Sequence, residues 1–293
     1  MSEQALNAEP RKARKSAPSS IREHPTPLGT ERNAAYMSRG RVRTHVPNHR
    51  NRPSAHLKEA QIIAAIAAAV HARAIGQPLN RFVTIHLERG ELPGRAQDAV
   101  GTYLKTAGKW LRGRGVTPTY IWWLEHAVGT GLHVHMLIHV PAGLRDTFSI
   151  KARHAWLKAA GLVPHAGVIR TERVEPRGIG ASGPTKRQRQ SYQNQLQGVL
   201  RYMGKSIDPD AISSLHRHIP LAERPTAAAA LGIKPEFCHP IYGRRISVSE
   251  NIGPAARKRF EAERQRDALL RQAARSAAII GVPIRRALPL AIQ

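Results

Sequence analysis

Hydrophobic and polar positions change period several times along the chain, and each change marks an element. Residues 1–54 show no apolar period; Pro, Ser, Arg and Asn dominate, and the segment reads as a disordered basic arm suited to non-specific DNA contact. The Ala-rich run over 56–75 predicts a helix ended by the Gly-Gln-Pro of 76–78. Within 81–88, Phe82, Thr84 and His86 alternate with Val83, Ile85 and Leu87, the period-two signature of a strand. Over 95–115 the spacing of Val100, Tyr103, Leu104, Ala107, Trp110 and Leu111 returns to helical, closed by Gly113 and Gly115.

Two alternating runs then flank the Val-Gly-Thr-Gly of 128–131 and predict a β-hairpin over 117–141. A short helix over 148–161, a strand over 166–176 and a Gly/Lys/Arg-rich loop over 177–190 follow. The pattern continues with a helix over 191–207, a basic-rimmed strand over 239–253 and a basic helix from 254 that ends in a Pro-punctuated tail. Strand–helix–strand–strand–helix–strand order with a central hairpin predicts an α+β fold, an antiparallel sheet with helices packed on it. That places the folded domain at 55–253, with the arm (1–54) and the tail (254–293) outside it.

The hairpin carries the candidate chemistry. His133, His135 and His139 occupy alternate positions, so their side chains share one face while Leu132, Val134, Met136 and Ile138 take the other. A turn centred on Gly129 sets Glu125 opposite His133 and Trp123 opposite His135, and opposed residues share a face. Two imidazoles and a carboxylate then surround one point, a competent divalent-metal site with open positions. A one-residue slip would turn Glu125 away, in which case His86 is the substitute third ligand. His139 lies beyond the site in a structural or DNA-contact role, and His126 faces away from Glu125.

Helical phase separates two tyrosines in 191–207. Tyr192 shares an apolar stripe with Leu196, Val199 and Met203 and should pack. Tyr202 shares its stripe with Gln195, Gly198 and Lys205. Gly198 leaves room above the phenol, and Lys205 sets a cation one turn on. Tyr202 is the better nucleophile.

Composition narrows the partners. The 293 residues carry 46 Lys plus Arg against 20 Asp plus Glu, a net charge of +26, and such a chain is expected to meet a polyanion. Lys186, Arg187, Arg189, Arg244 and Arg245 are the candidate DNA contacts. The single cysteine, Cys238, excludes an internal disulfide and a multi-Cys zinc module, and is expected to be structural. The N-terminus lacks the apolar core of a secretory signal, and the most apolar run, 61–70, is too short to span a bilayer. A cytoplasmic protein with no membrane partner is expected.

Together these motifs resemble the HUH endonuclease superfamily, and within it the rolling-circle replication initiators of plasmids and phages. FVTIHLE (82–88) resembles the family's first motif, GLHVHMLIHVP its His–hydrophobic–His metal motif at His133 and His135, and YMGK its catalytic YxxK motif at Tyr202 and Lys205. Glu125 matches the carboxylate that completes the metal site in several branches. The resemblance spans roughly residues 80–206. It implies a ferredoxin-like, palm-type fold and a divalent ion, Mg²⁺ or Mn²⁺. It further implies that Tyr202 nicks single-stranded or hairpin origin DNA, leaving a 5′-phosphotyrosine and a free 3′-hydroxyl, and later rejoins the strand. Trp122 or Trp123 is then the candidate for stacking on a base. No second tyrosine shares the face of Tyr202, which points to a single-tyrosine enzyme. The tyrosine also follows the histidines, an order that favours an initiator or a transposase over a relaxase. The absence of a GxxxxGK[ST] loop leaves any helicase, like the polymerase, to the host. Two other readings stay open: a non-catalytic origin-binding or regulatory protein, and a zinc hydrolase that never meets DNA. The charge argues against the hydrolase, and the pairing of Tyr202 with Lys205 argues against the non-catalytic reading.

Overall fold

A computed structural model describes residues 53–92, 94–174 and 184–279, with only the backbone described for 273–279. The basic arm up to residue 52, the first half of the predicted 177–190 loop and the tail beyond 279 lie outside the described residues.

The chain enters through β1 (Pro53–Ser54) and α1 (Glu59–Ala74), followed by β2 (Arg81–His86), α2 (Ala96–Arg112), β3 (Tyr120–Ala127) and β4 (Gly131–Ile138). Next come α3 (Arg145–Lys151), a π-helical turn (Ala152–Trp156), α4 (Leu157–Ala159), β5 (Ile169–Arg173) and α5 (Lys186–Met203). A short α6 (Ala227–Leu231), β6 (Ile241–Tyr242), β7 (Ile246–Val248) and the long α7 (Pro254–Ile279) complete it. β5, β2, β4, β3 and β7 lie side by side in one sheet, each antiparallel to its neighbour, and β1 pairs with β6 in a small second sheet. The result is a mixed α/β molecule of antiparallel sheets and helices, as the period changes predict.

Helices cover both faces of the main sheet. On one, Val83, Ile85, Trp122, Leu124, Val134, Met136 and Ile138 pack against α2 through Val100, Tyr103 and Leu104, and against Phe148, Trp156 and Leu157. On the other, Phe82, Ile121, Trp123 and Leu137 meet the Ala-rich stripe of α1 and the Tyr192, Leu196, Leu200, Met203 stripe of α5. Small alanines at 65, 68, 69 and 72 let α1 lie close to this second face. Both tryptophans of β3 are buried, so neither offers a ring to a base; the stacking expected of Trp122 or Trp123 is thereby removed.

The hairpin turn is built for its register. Gly129 and Gly131 both have positive φ (77° and 71°), which a side chain would strain. A Cβ on Gly131 would also collide with the Glu88 carboxylate.

Three expectations change. The helix predicted over 191–207 begins earlier, at Lys186, because Thr185 accepts a hydrogen bond from the Gln188 N–H while the Gln188 side chain accepts from the Thr185 N–H. Lys186, Arg187 and Arg189 are therefore helical rather than in a loop. The strand predicted over 239–253 splits in two at Gly243 (φ 86°), one half pairing with β1 and the other with β3. Ser54 and Pro53, assigned to the arm, are ordered by that pairing. Among the described residues no helix is long and apolar enough to cross a membrane.

Candidate metal and nucleophile site

The site grows from alternation on the second sheet face. β3 and β4 pair Glu125 with His133 and Trp123 with His135, the register that the turn predicts. β2 joins from the other side, setting Thr84 opposite His135 and His86 opposite His133. The apolar partners on this face, Phe82, Trp123 and Leu137, bury the polar cluster as they bury themselves.

Glu125, His133 and His135 are all buried, and one ligand atom from each lies within 4.8 Å of the others, a group that can hold a metal ion. Glu125 Oε2 stands 3.3 Å from His135 Nε2 and 3.5 Å from His133 Nε2. Ligands about 2.1 Å from a common ion, at tetrahedral or octahedral angles, are separated by about 3.0–3.4 Å, so the spacing suits a shared cation. Satisfaction points the same way. Glu125 Oε2 and His135 Nε2 are buried without a hydrogen-bond partner, and such orphans are costly unless something fills the gap.

The outer nitrogens of both rings are fixed. His133 Nδ1 donates to the Gly131 carbonyl at 2.9 Å, which leaves the lone pair of the neutral ring on Nε2, facing Glu125. His135 Nδ1 lies 2.9 Å from Thr84 Oγ1, the same arrangement with a hydroxyl as anchor. Burial lowers the pKa of His135 and favours its neutral, ligating form. Burial alone would raise the pKa of Glu125, but the close approach of His133, His135 and the Lys205 ammonium outweighs it and holds the carboxyl well below the usual range.

Lys205, just past the end of α5, reaches into the cluster. Its Nζ is 2.9 Å from Glu125 Oε1 and 2.9 Å from Glu236 Oε2. Burial disfavours the ammonium, yet these two carboxylates raise its pKa above the ordinary lysine value. Lys205 therefore supplies a fixed positive charge rather than a base. The same Nζ lies 4.5 Å from the centre of the Tyr202 ring.

Tyr202 is 46% exposed beside this core. Its neighbour Met203 belongs to the stripe buried on the sheet, and a rotation of about 100° per residue leaves Tyr202 at the rim of that stripe. Its ring stands edge-on to His135 with centroids 5.3 Å apart. Tyr202, Lys205, His133, His135, His86 and Gly198 all line one open cleft of about 500 Å³. A Cβ on Gly198 would meet only open space, in keeping with the clearance expected above the phenol. Tyr192 packs instead, and its hydroxyl donates to the Leu79 carbonyl.

Other expected residues divide. His86 lines the cleft beside His133, 5.5 Å between ring centres, but stands outside the three-residue cluster. His139 Nδ1 donates to the Pro78 carbonyl, away from the cluster, and His126 turns to Glu88. Lys186, Arg187 and Arg189 are exposed at the far end of α5, roughly 20–24 Å along the helix from Tyr202. Arg244 is exposed, but Arg245 is not: it is buried and its guanidinium donates to the carbonyls of Ser54 and Ala55. A surface DNA contact by Arg245 is corrected to an internal tether.

Four residues of the site carried no such signal in the sequence: Glu236, which pins Lys205; Thr84, which anchors His135; Arg170 at the mouth of the cleft; and Cys238. The last had been expected to be structural, and its buried thiol lies 3.8 Å from Glu125 Oε1. Burial and the Glu125 charge push its pKa up to about 11. Only Thr84 could have been found from pattern, as a polar residue in phase with His86. No protein-family model, curated protein or solved structure matches this chain, so what the site can do rests on its own residues.

Proposed function

We propose that this protein is a metal-dependent, site-specific DNA nickase and strand transferase of the HUH endonuclease type, acting as a replication initiator on single-stranded or hairpin origin DNA. One juxtaposition carries the reading. An accessible phenol, a fixed ammonium and two imidazoles line a single open cleft, with the Glu125 carboxylate buried against the imidazoles and the ammonium. The connectivity of β2, α2, β3, β4, α3 and β5, with strand order β5-β2-β4-β3, is compatible with a ferredoxin-like split βαβ unit and supports the same reading. The charge of +26 suits a polyanionic substrate.

In this reading Glu125, His133 and His135 would hold a divalent ion, Mg²⁺ or Mn²⁺. When bound, the ion supplies Lewis-acid polarisation of the scissile phosphate and disperses the charge that builds on it. The Tyr202 phenolic oxygen forms a bond to phosphorus as the bond from phosphorus to the 3′ oxygen breaks. The phenol's proton is balanced by the one gained on the departing 3′-hydroxyl. Lys205 steadies negative charge beside the ring, and Glu236 keeps its ammonium in place. The 5′-phosphotyrosine conserves the phosphodiester, so reversal rejoins the strand without a nucleotide cofactor. The free 3′-hydroxyl is a primer for a host polymerase, with strand separation left to a host helicase.

The test is covalent capture. Wild-type protein with labelled single-stranded origin DNA and Mn²⁺ should form an adduct that survives denaturing electrophoresis, and Tyr202→Phe should form none. An adduct in Tyr202→Phe would remove Tyr202 as nucleophile, and no cleavage by wild type on any origin strand would leave a DNA-binding role.

A further inference from the structure

A row of three aromatic rings begins one residue from Glu236, whose carboxylate holds the Lys205 of the cleft, and has no part in the chemistry above. Phe237 is 70% exposed. Its ring centre lies 5.5 Å from that of His239, whose ring is 4.8 Å from His126. Single exposed hydrophobics are ordinary on protein surfaces. This one is unusual in how firmly its backbone is held. Glu236 N–H donates to the Lys205 carbonyl at 2.7 Å, and the Glu236 carboxylate grips Lys205 Nζ. On the other side Cys238 bridges to Ala127, and His239 N–H donates to the His126 carbonyl at 2.8 Å. The four-residue segment is stitched to the end of α5 and the end of β3, with Phe237 presented between the stitches.

We infer that Phe237, His239 and His126 form a stacking platform for the unpaired bases of a single-stranded nucleic acid that runs from the cleft. The inference rests on the nucleic-acid reading above. Every base has a π face, so an exposed ring row binds a strand with little regard to sequence, while nearby cations hold its phosphates. Continuity with the cleft is covalent: Phe237 follows the residue that touches Lys205. Exposed cations stand close to both ends of the row in the chain, Lys234 three residues before Phe237, and Arg89 next to the Glu88 that faces His126 at 3.5 Å. The row also fills a role left open by the burial of Trp122 and Trp123.

Binding, separated from cleavage, tests it. The full chain carrying Tyr202→Phe is titrated against a labelled single-stranded oligonucleotide by fluorescence anisotropy, with and without a second change, Phe237→Ala. The second change should weaken binding by about 5- to 150-fold, the equivalent of one lost base stack, with an unchanged salt dependence because no phosphate contact is removed. Phe237→Trp should restore affinity, and an oligonucleotide of abasic residues should bind both proteins equally. Equal affinity of the Phe237→Ala protein for the normal strand would overturn the platform alone. Failure of the parent to bind any single strand would overturn the nucleic-acid reading and the platform together.

Discussion

The two faces of one hairpin show how the same strands serve two ends. Val134, Met136, Trp122 and Leu124 point to α2 and the 145–159 helical segment and are buried within one apolar cluster. One residue along in each case, His133, His135, Trp123 and Glu125 point to α1 and α5 and are buried just as deeply. Burial is therefore not what distinguishes a core from a site in this sheet. The first face is satisfied by dispersion and exclusion of water. The second keeps polar atoms facing one another at 3.3–3.5 Å with no hydrogen bond to complete them.

Substitutions on either side should break that division in opposite ways. The largest effect falls on metal binding. His135→Ala should abolish the heat of Mn²⁺ binding in calorimetry and the metal-dependent rise in melting temperature, because one of three ligands and its orphaned nitrogen are gone. Retention of wild-type affinity would remove His135 from the metal set. Next comes Met136→Ala on the apolar face. It should destabilise the protein by about 2–5 kcal/mol in urea unfolding, since it opens a cavity among fully buried neighbours, yet leave metal affinity unchanged. If Met136→Ala lowered metal affinity as much as stability, the two faces would be one cooperative unit. The smallest is Thr84→Val, which removes only the hydroxyl beside His135 Nδ1. Metal affinity should fall about 10- to 100-fold with little change in the unfolding midpoint, the pattern of a group that orients a ligand without touching the ion. A large loss of stability with unchanged affinity would make Thr84 a packing residue.

Much of the candidate site was legible before any coordinates. The alternation of His133 and His135 placed them on one face, and the glycines at 129 and 131 set the turn that brings Glu125 opposite His133. Helical phase alone separated the packed Tyr192 from the accessible Tyr202. These are local relations, read within one hairpin or one helix, where the period of the chain dictates direction. The failures came where a local pattern was asked about burial. Arg245 and Arg244 are adjacent and equally basic in the sequence, yet one is tethered inside and the other exposed. Trp122 and Trp123 are the two candidates for base stacking by sequence, yet helices on both faces of the sheet bury them.

The sequence by itself determined the strand and helix order, the hairpin register, the histidine pair with its carboxylate, and the phase of Tyr202. Periodicity and turn geometry act over a few residues and need no knowledge of the rest of the chain. Only the tertiary structure decided that Tyr202 and Lys205 meet the Glu125 cluster in one cleft, and that Thr84, Glu236 and Cys238 complete its surroundings. It also decided that Phe237 stands open beside them. Those contacts join segments 51 and 113 residues apart for Thr84 with His135 and Cys238 with Glu125. They exist because β2 pairs with β4 and the 236–239 segment bridges to the end of β3, and no local period carries that information.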